Sequence, residues 1–190
     1  MYKVNEVFET IQGEGSFTGA PAIFIRLQGC PVGCSWCDTK HTWEIKDELR
    51  QPLGDIVIKT AETEHWAGVS AEDLIALFAR EGYQAKHVVI TGGEPCMYDL
   101  NELTHTLHAA GFATQIETSG TFEVKCDADT WVTVSPKINM KGGYKVLAQA
   151  LTRANEIKHP IATEHHIDEL DELLKGIDVS AKTICLQQIS

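Results

Sequence analysis

Three of the six cysteines in this 190-residue chain lie together in the stretch QGCPVGCSWCDTKHTW, as Cys30, Cys34 and Cys37, spaced C-x3-C-x2-C. Three thiolates can hold three irons of a [4Fe-4S] cluster, which ordinarily takes four cysteine ligands. The fourth iron is then open to another ligand, and an open position separates a reactive metal site from a closed structural one. Val32 and Trp36 supply apolar surface in the same loop, placed to shield a cluster. Two other readings of these residues stand. A zinc site would use Cys30, Cys34, Cys37 and His41, although the x3 spacing and the lack of a second close pair are unusual for zinc. An electron-transfer cluster would take a fourth thiol from Cys96, Cys126 or Cys185, residues that otherwise pack as small hydrophobes.

Composition narrows the setting. The chain is 43% hydrophobic and 23% charged, which suits one folded domain spanning residues 1–190. The opening MYKVNEVFETIQGEG is charged throughout and lacks the apolar centre of a signal peptide, and no apolar run is long enough to span a membrane. A cytoplasmic protein with reduced thiols is therefore expected, in which close cysteines signal metal or redox chemistry. The formal net charge of -11 disfavours direct binding to a nucleic-acid backbone.

The elements that must carry the cysteines follow from hydrophobic pattern. Residues 22–27, 87–91, 112–118, 131–135, 156–159 and 183–188 read as strands. Helical patterns lie between several of them. SAEDLIALFAR has Ser70 and Asp73 in capping-box positions, and DLNELTHTLHAAG has Asp99 as a cap and Gly111 as a stop. YKVLAQALTRA and HHIDELDELLKG carry the same periodicity. Alternating strand and helix implies a mostly parallel sheet, and about six strands imply an open, partial parallel β/α barrel. Residues 41–68 have weak patterning and read as an insertion. The cysteines, GGEP (92–95), ETSG (117–120), SPK (135–137) and LQQ (186–188) each follow or end a strand. In parallel α/β folds those strand ends build one active site.

C-x3-C-x2-C followed by a strand and GGEP resembles the radical S-adenosylmethionine (SAM) superfamily. The longer stretch FETIQGEGSFTGAPAIFIRLQGCPVGCSWCDTKHTW, with HVVITGGEPC, QIETSGT, WVTVSPK and ANEIKHP, resembles the 7-carboxy-7-deazaguanine synthase family. The resemblance implies a lyase that contracts the ring of 6-carboxy-5,6,7,8-tetrahydropterin with loss of ammonia, toward 7-deazapurines such as queuosine. It implies a [4Fe-4S] cluster on Cys30, Cys34 and Cys37, SAM as a re-formed cofactor, and magnesium on Thr39, with Asp38 beside it. It assigns Ile11, Gln12, Gly13, Arg26 and Thr91 to the substrate, and Gly93, Glu117, Ser119, Ser135, Pro136 and Lys137 to SAM. Arg26 suits a carboxylate, because its planar fork can bind bidentately. A salt bridge from Arg26 to Glu14 or Glu94 is the alternative, and a cap or Asx turn is the alternative for Asp38 and Thr39. An external electron donor such as flavodoxin and a homodimer complete the expectation. Family members continue past LQ-x-IS, and Gln188 stands where proline is usual, so either a C-terminal part is missing or this is a short variant of the family. Two rivals remain at this point: another radical SAM enzyme, such as a glycyl-radical activase, and a non-catalytic zinc or iron–sulfur module.

Overall fold

The computed structural model describes residues 1–57 and 61–188; residues 58–60, inside the expected insertion, and 189–190, the end of LQQIS, lie outside the described residues. Eight described strands form one open sheet in the order β3-β1-β2-β4-β5-β6-β7-β8. The six expected strands are its parallel part, paired in chain order: β2 (Pro21–Leu27), β4 (His87–Gly92), β5 (Ala113–Thr118), β6 (Trp131–Val134), β7 (Glu156–Ile161) and β8 (Thr183–Gln188). Two antiparallel strands extend one edge. β1 (Tyr2–Ile11) pairs with β2 on one side and with β3 (Ala67–Val69) on the other. The strand read as first from sequence is thus second in the chain. β1 escapes a period-two reading because its register shifts between Val4 and Glu6, so that Val4 and Asn5 are both buried.

Helices α1 (Leu53–Val57), α2 (Ala71–Glu81), α3 (Asn101–Ala109), α4 (Ala148–Arg153) and α5 (Glu164–Leu173) complete the described elements, with short 3-10 turns between. The capping box of α2 forms as expected: the Ser70 hydroxyl accepts from the Asp73 N–H at 3.1 Å, and the Asp73 carboxylate accepts from the Ser70 N–H at 3.0 Å. Asp99 falls one residue short of capping α3. Leu100 holds the cap position, and Asp99 Oδ1 accepts from the Asn101 N–H at 3.0 Å. α4 covers only the end of the YKVLAQALTRA pattern, because Leu147 is extended.

One face of the sheet packs on the helices. Ile25, Ile90, Ile116, Val132, Val134 and Ile157 meet Leu74, Leu77 and Phe78 of α2, Leu103 and Leu107 of α3, Leu151 of α4 and Leu170 of α5 in one apolar core. Alternation along each strand sends the neighbouring residues to the opposite face. That face is polar, and carries Arg26, Thr91, Gln115, Glu117, Thr133, Glu156 and Lys158. β8 is an edge strand whose apolar residues stay outside the core, with Ile184 40% and Leu186 47% exposed.

Residues 41–44, at the start of the expected insertion, bond to the base of the cysteine loop. Gln28 directly follows β2 and is fully buried. Its amide donates to the carbonyls of His41 at 3.0 Å and Glu44 at 2.6 Å, and its oxygen accepts from Asn5 Nδ2 at 2.7 Å. Replacing Gln28 with Met keeps the bulk but leaves those buried partners short of a bond. Gln28→Met should lower stability by roughly 2–3 kcal/mol, read as a shift in the urea midpoint at constant slope.

Candidate active site

The cysteine loop leaves the C-terminal end of β2 and is closed at its base by backbone pairing. Gly29 N–H donates to the Thr42 carbonyl at 2.7 Å and Cys30 N–H to the Trp43 carbonyl at 3.0 Å. All three thiols are free, Cys34 buried and Cys30 and Cys37 partly so. Burial pushes the Cys30 thiol up to about 11, and the negative charges of Glu94, Cys34 and Cys37 add to the shift. Burial raises Cys34 as well, against the pull of the Lys137 ammonium. Both thiols lie close to a buried carboxylate and need cationic partners to ionise. Of the two apolar side chains expected to shield the loop, Val32 is buried but Trp36 is 55% exposed. Trp43 does what Trp36 does not: its indole N–H points at Cys37 Sγ, 3.4 Å away. Thr39 precedes a 3-10 turn (Lys40–Thr42) without capping it by its side chain, and its hydroxyl lies 3.5 Å from Cys37 Sγ. Asp38 is exposed.

A zinc site would need several of these side chains to converge on one point. Among the described residues no three His, Cys, Asp or Glu side chains do so, and His41 Nδ1 faces Glu62 at 3.5 Å. A cluster places each ligand on a separate iron and needs no such convergence.

The GGEP turn is pressed against the start of the cysteine loop. Gly93 N–H donates to the Leu27 carbonyl at 3.0 Å and Glu94 N–H to the Gly29 carbonyl at 2.8 Å. A Cβ on Gly92 would collide with the Leu27 backbone, and one on Gly93 with the Gly29 carbonyl, so both glycines are required by close approach. Glu94 is 1% exposed. Its carboxylate accepts from the Thr118 hydroxyl at 2.6 Å, the Ser119 N–H at 2.9 Å, the Cys96 N–H at 2.9 Å and the Ser119 hydroxyl. This charge ties the turn after β4 to the ETSG segment ending β5. The SPK segment is laid alongside in turn: Ser135 N–H donates to the Thr118 carbonyl at 2.8 Å and Lys137 N–H to the Ser119 carbonyl at 3.3 Å. Pro136 is buried, and the Lys137 ammonium donates to Ser135 Oγ at 2.8 Å. Burial holds the Lys137 amine below its usual range, with Cys34 and Glu94 opposing.

The polar face adjoins these loops. Arg26 and Thr91 are register partners in the β2–β4 pair, as are Glu117 and Thr133 in β5–β6. Arg26 pairs with neither Glu14 nor Glu94. Its partner is Glu6, directly opposite on β1, with Arg26 Nε 2.5 Å from Glu6 Oε1. That pairing was out of reach of a reading that lacked β1. Gln12 is 3% exposed, and its amide donates to Glu117 Oε1 at 2.9 Å. Ile11 is 62% exposed, and space around the Gly13 α-carbon is open. Gln12, assigned to substrate, and Glu117, assigned to SAM, are thus bonded to each other.

A family model of the radical SAM superfamily matches residues 24–154. The chain is 60% identical over 190 residues to the 7-carboxy-7-deazaguanine synthase of Escherichia coli (strain K12), covering 100% of this chain and 85% of the relative. It is 45% identical to the enzyme of that name from Buchnera aphidicola subsp. Schizaphis graminum, with the same coverage. This chain belongs to the radical SAM superfamily. A crystal structure of QueE from Escherichia coli superposes with a TM-score of 0.97 at 60% identity, covering 99% of this chain and 83% of the other. The open, parallel-rich sheet is accordingly the partial barrel of the superfamily, whose members use a [4Fe-4S] cluster and SAM.

The residues present fit that chemistry: free thiols in a backbone-closed loop, a glycine turn whose backbone meets that loop, and an ammonium beside the thiols. The Ser119 hydroxyl is bonded to Glu94 and Thr121. The Glu94 carboxylate and Trp43 were missed by the motif reading. An acidic residue directly after an apolar strand and two glycines was the available signal for Glu94. Trp43 gave none, because it acts from outside the C-x3-C-x2-C span. Glu94→Gln exchanges a four-bond carboxylate for an amide that must present N–H groups to donors. It should cost about 2–4 kcal/mol in urea unfolding of the cluster-free protein and should weaken SAM binding in calorimetry.

Proposed function

We propose that this protein converts 6-carboxy-5,6,7,8-tetrahydropterin to 7-carboxy-7-deazaguanine with release of ammonia, in 7-deazapurine and queuosine biosynthesis. The observation that carries this reading is the meeting of the three-cysteine loop with the GGEP turn, next to the Arg26–Thr91 pair on a polar sheet face. Relatives named for this activity, identical at up to 60% of positions over the whole chain, support it.

Cys30, Cys34 and Cys37 would hold the cluster, whose remaining iron would be free to take SAM. When bound, the cluster and SAM supply a carbon radical that can take hydrogen from an unactivated carbon. The chain's own residues bind and orient. Arg26 exchanges Glu6 for the substrate carboxylate, and Thr91 lies beside it. Ile11, Gln12 and Gly13 line the substrate from the β1–β2 loop. Gly93 offers backbone to SAM, with Glu117, Ser119, Ser135, Pro136 and Lys137 around it. Thr39 would supply an oxygen for magnesium, an ion that prefers hard oxygen ligands. The described residues act as one domain, in the cytoplasm, as a homodimer served by an external one-electron donor such as flavodoxin. Nucleic acid is not a direct partner of a chain with net charge -11. No helix among the described residues is long and apolar enough to cross a membrane.

Anaerobic incubation of the reconstituted protein with SAM, a reductant and the carboxypterin should yield the deazaguanine product. Alanine at Cys30, Cys34 or Cys37 should abolish the cluster absorbance and SAM cleavage together, whereas alanine at Cys126 or Cys185 should leave both. A cluster that survives loss of Cys34 would overturn the ligand assignment. The Arg26 side chain is 18% exposed, so its contribution stays at the low end for a buried charge pair. Arg26→Ala should weaken carboxypterin binding by about 2 kcal/mol, roughly thirtyfold, with cluster content unchanged.

A further inference from the structure

The polar face holds a lysine without a part in the reading so far. Lys158 lies on β7 with its side chain 7% exposed. Its ammonium donates to Glu14 Oε2 at 2.7 Å and lies 3.5 Å from Glu117 Oε2. Burial alone would lower the pKa of this amine, and Glu117 and Glu14 more than reverse that, so it is held above its usual value. Each carboxylate has a second partner. Glu14 accepts from the Gln187 amide of β8, and Glu117 from Gln12. Two residues before Lys158, the fully buried Glu156 accepts from the Ser16 N–H at 2.7 Å and from the Ser16 hydroxyl. The β1–β2 loop is closed on itself by Gln12 N–H to the Ala20 carbonyl and Gly19 N–H to the Gln12 carbonyl, both 2.8 Å. These side-chain bonds seat it on β7.

Two carboxylates facing one point repel unless a cation stands between them. Lys158 turns Glu14 and Glu117 from repelling neighbours into two ends of a bridge. One end is on the loop. The other is on the strand whose Glu117 fixes Gln12.

We propose that Lys158 is a positioning residue for the reaction: held between Glu14 and Glu117, it seats the β1–β2 loop on the polar face and fixes Gln12 where substrate binds. The proposal rests on the reading of Ile11–Gly13 as substrate contacts. It goes beyond that reading in naming what holds those contacts in place.

The test uses the full chain and the variants Lys158→Met, Lys158→Arg, Glu14→Gln and the Lys158→Met/Glu14→Gln double variant. Hydrogen exchange over residues 12–19 is followed without ligand. Affinity for 6-carboxy-5,6,7,8-tetrahydropterin is measured by calorimetry on cluster-free protein, and KM and kcat on reconstituted enzyme. Lys158→Met should speed exchange in the loop about tenfold, leave β4 and β5 protected, and weaken pterin affinity about tenfold. KM should rise more than kcat falls, because the chemistry itself is untouched. Lys158→Arg should recover most of both effects. Glu14→Gln should act in the same direction, and the double variant should be no worse than Lys158→Met. Unchanged loop exchange or full pterin affinity in Lys158→Met would overturn the proposal. If that variant does not fold, Glu14→Gln decides: partly exposed Glu14 tolerates the change, and wild-type behaviour there sinks the idea. Failure of the wild-type protein to bind the pterin would instead bring down the substrate reading, and loop exchange would still show whether Lys158 seats the loop.

Discussion

A buried carboxylate that can neither reach water nor lose a partner without cost organises this molecule's working end. Glu94 accepts from two hydroxyls and two backbone N–H groups drawn from its own turn and from the end of β5. An isolated charge in that position would be strongly disfavoured, and a fully bonded one fixes the geometry of everything that bonds it. The turn it belongs to is pinned to the cysteine loop through Gly93 and Glu94 N–H groups, and the segment it holds is pinned to the SPK segment. Four separate strand ends, those of β2, β4, β5 and β6, thereby share one rigid frame. Pre-formed placement of this kind matters for a site whose reactive species must meet its target before it meets water.

The same frame explains why the sheet is polar on one side. A β/α unit covers one face of each strand with a helix and leaves the other to be filled by side chains or ligand. Here the second face is built from hydrogen-bonded pairs: His87 with Gln115, Gln115 with Thr133, Thr133 with Glu156, and Arg26 with Glu6. Phe17 closes the lower part by lying against His87 and Trp131. Such a surface prefers a polar, charged ligand to an apolar one, because an apolar occupant would strip water from groups it cannot satisfy.

Much of this was legible in the chain. Cys30, Cys34 and Cys37 announce themselves by spacing, and the six parallel strands by short apolar runs set between helical patterns. Gly92 and Gly93 stood out as paired glycines after a strand, and the structure presses Gly92 against the Leu27 backbone at the end of β2 and Gly93 against the Gly29 carbonyl. What stayed hidden has a common cause. β1 contains a register shift, so its buried residues do not alternate, and β3 is only three residues long. Without β1, Arg26 had no visible partner, and Glu6 could not be named. Within the weakly patterned 41–68 stretch, residues 41–44 are held through their backbone carbonyls, to Gln28, Gly29 and Cys30, which leaves no trace in an apolar pattern. Trp36 was read as a shield from proximity in sequence, whereas the loop turns it outward and brings Trp43 inward from six residues past Cys37.

The bond between Glu14 and Lys158 spans 144 positions of sequence. A ribosome delivers the chain from the N-terminus, so the loop emerges well before the strand that receives it. Strands β1 and β2 can pair early, since only a short connection must close. Their connecting loop, bearing Gln12 and Glu14, has no seat until β7 has been made and added to the sheet. A loop that is among the first segments to be synthesised is therefore among the later ones to settle, and the newborn chain carries it unanchored until β7 is made.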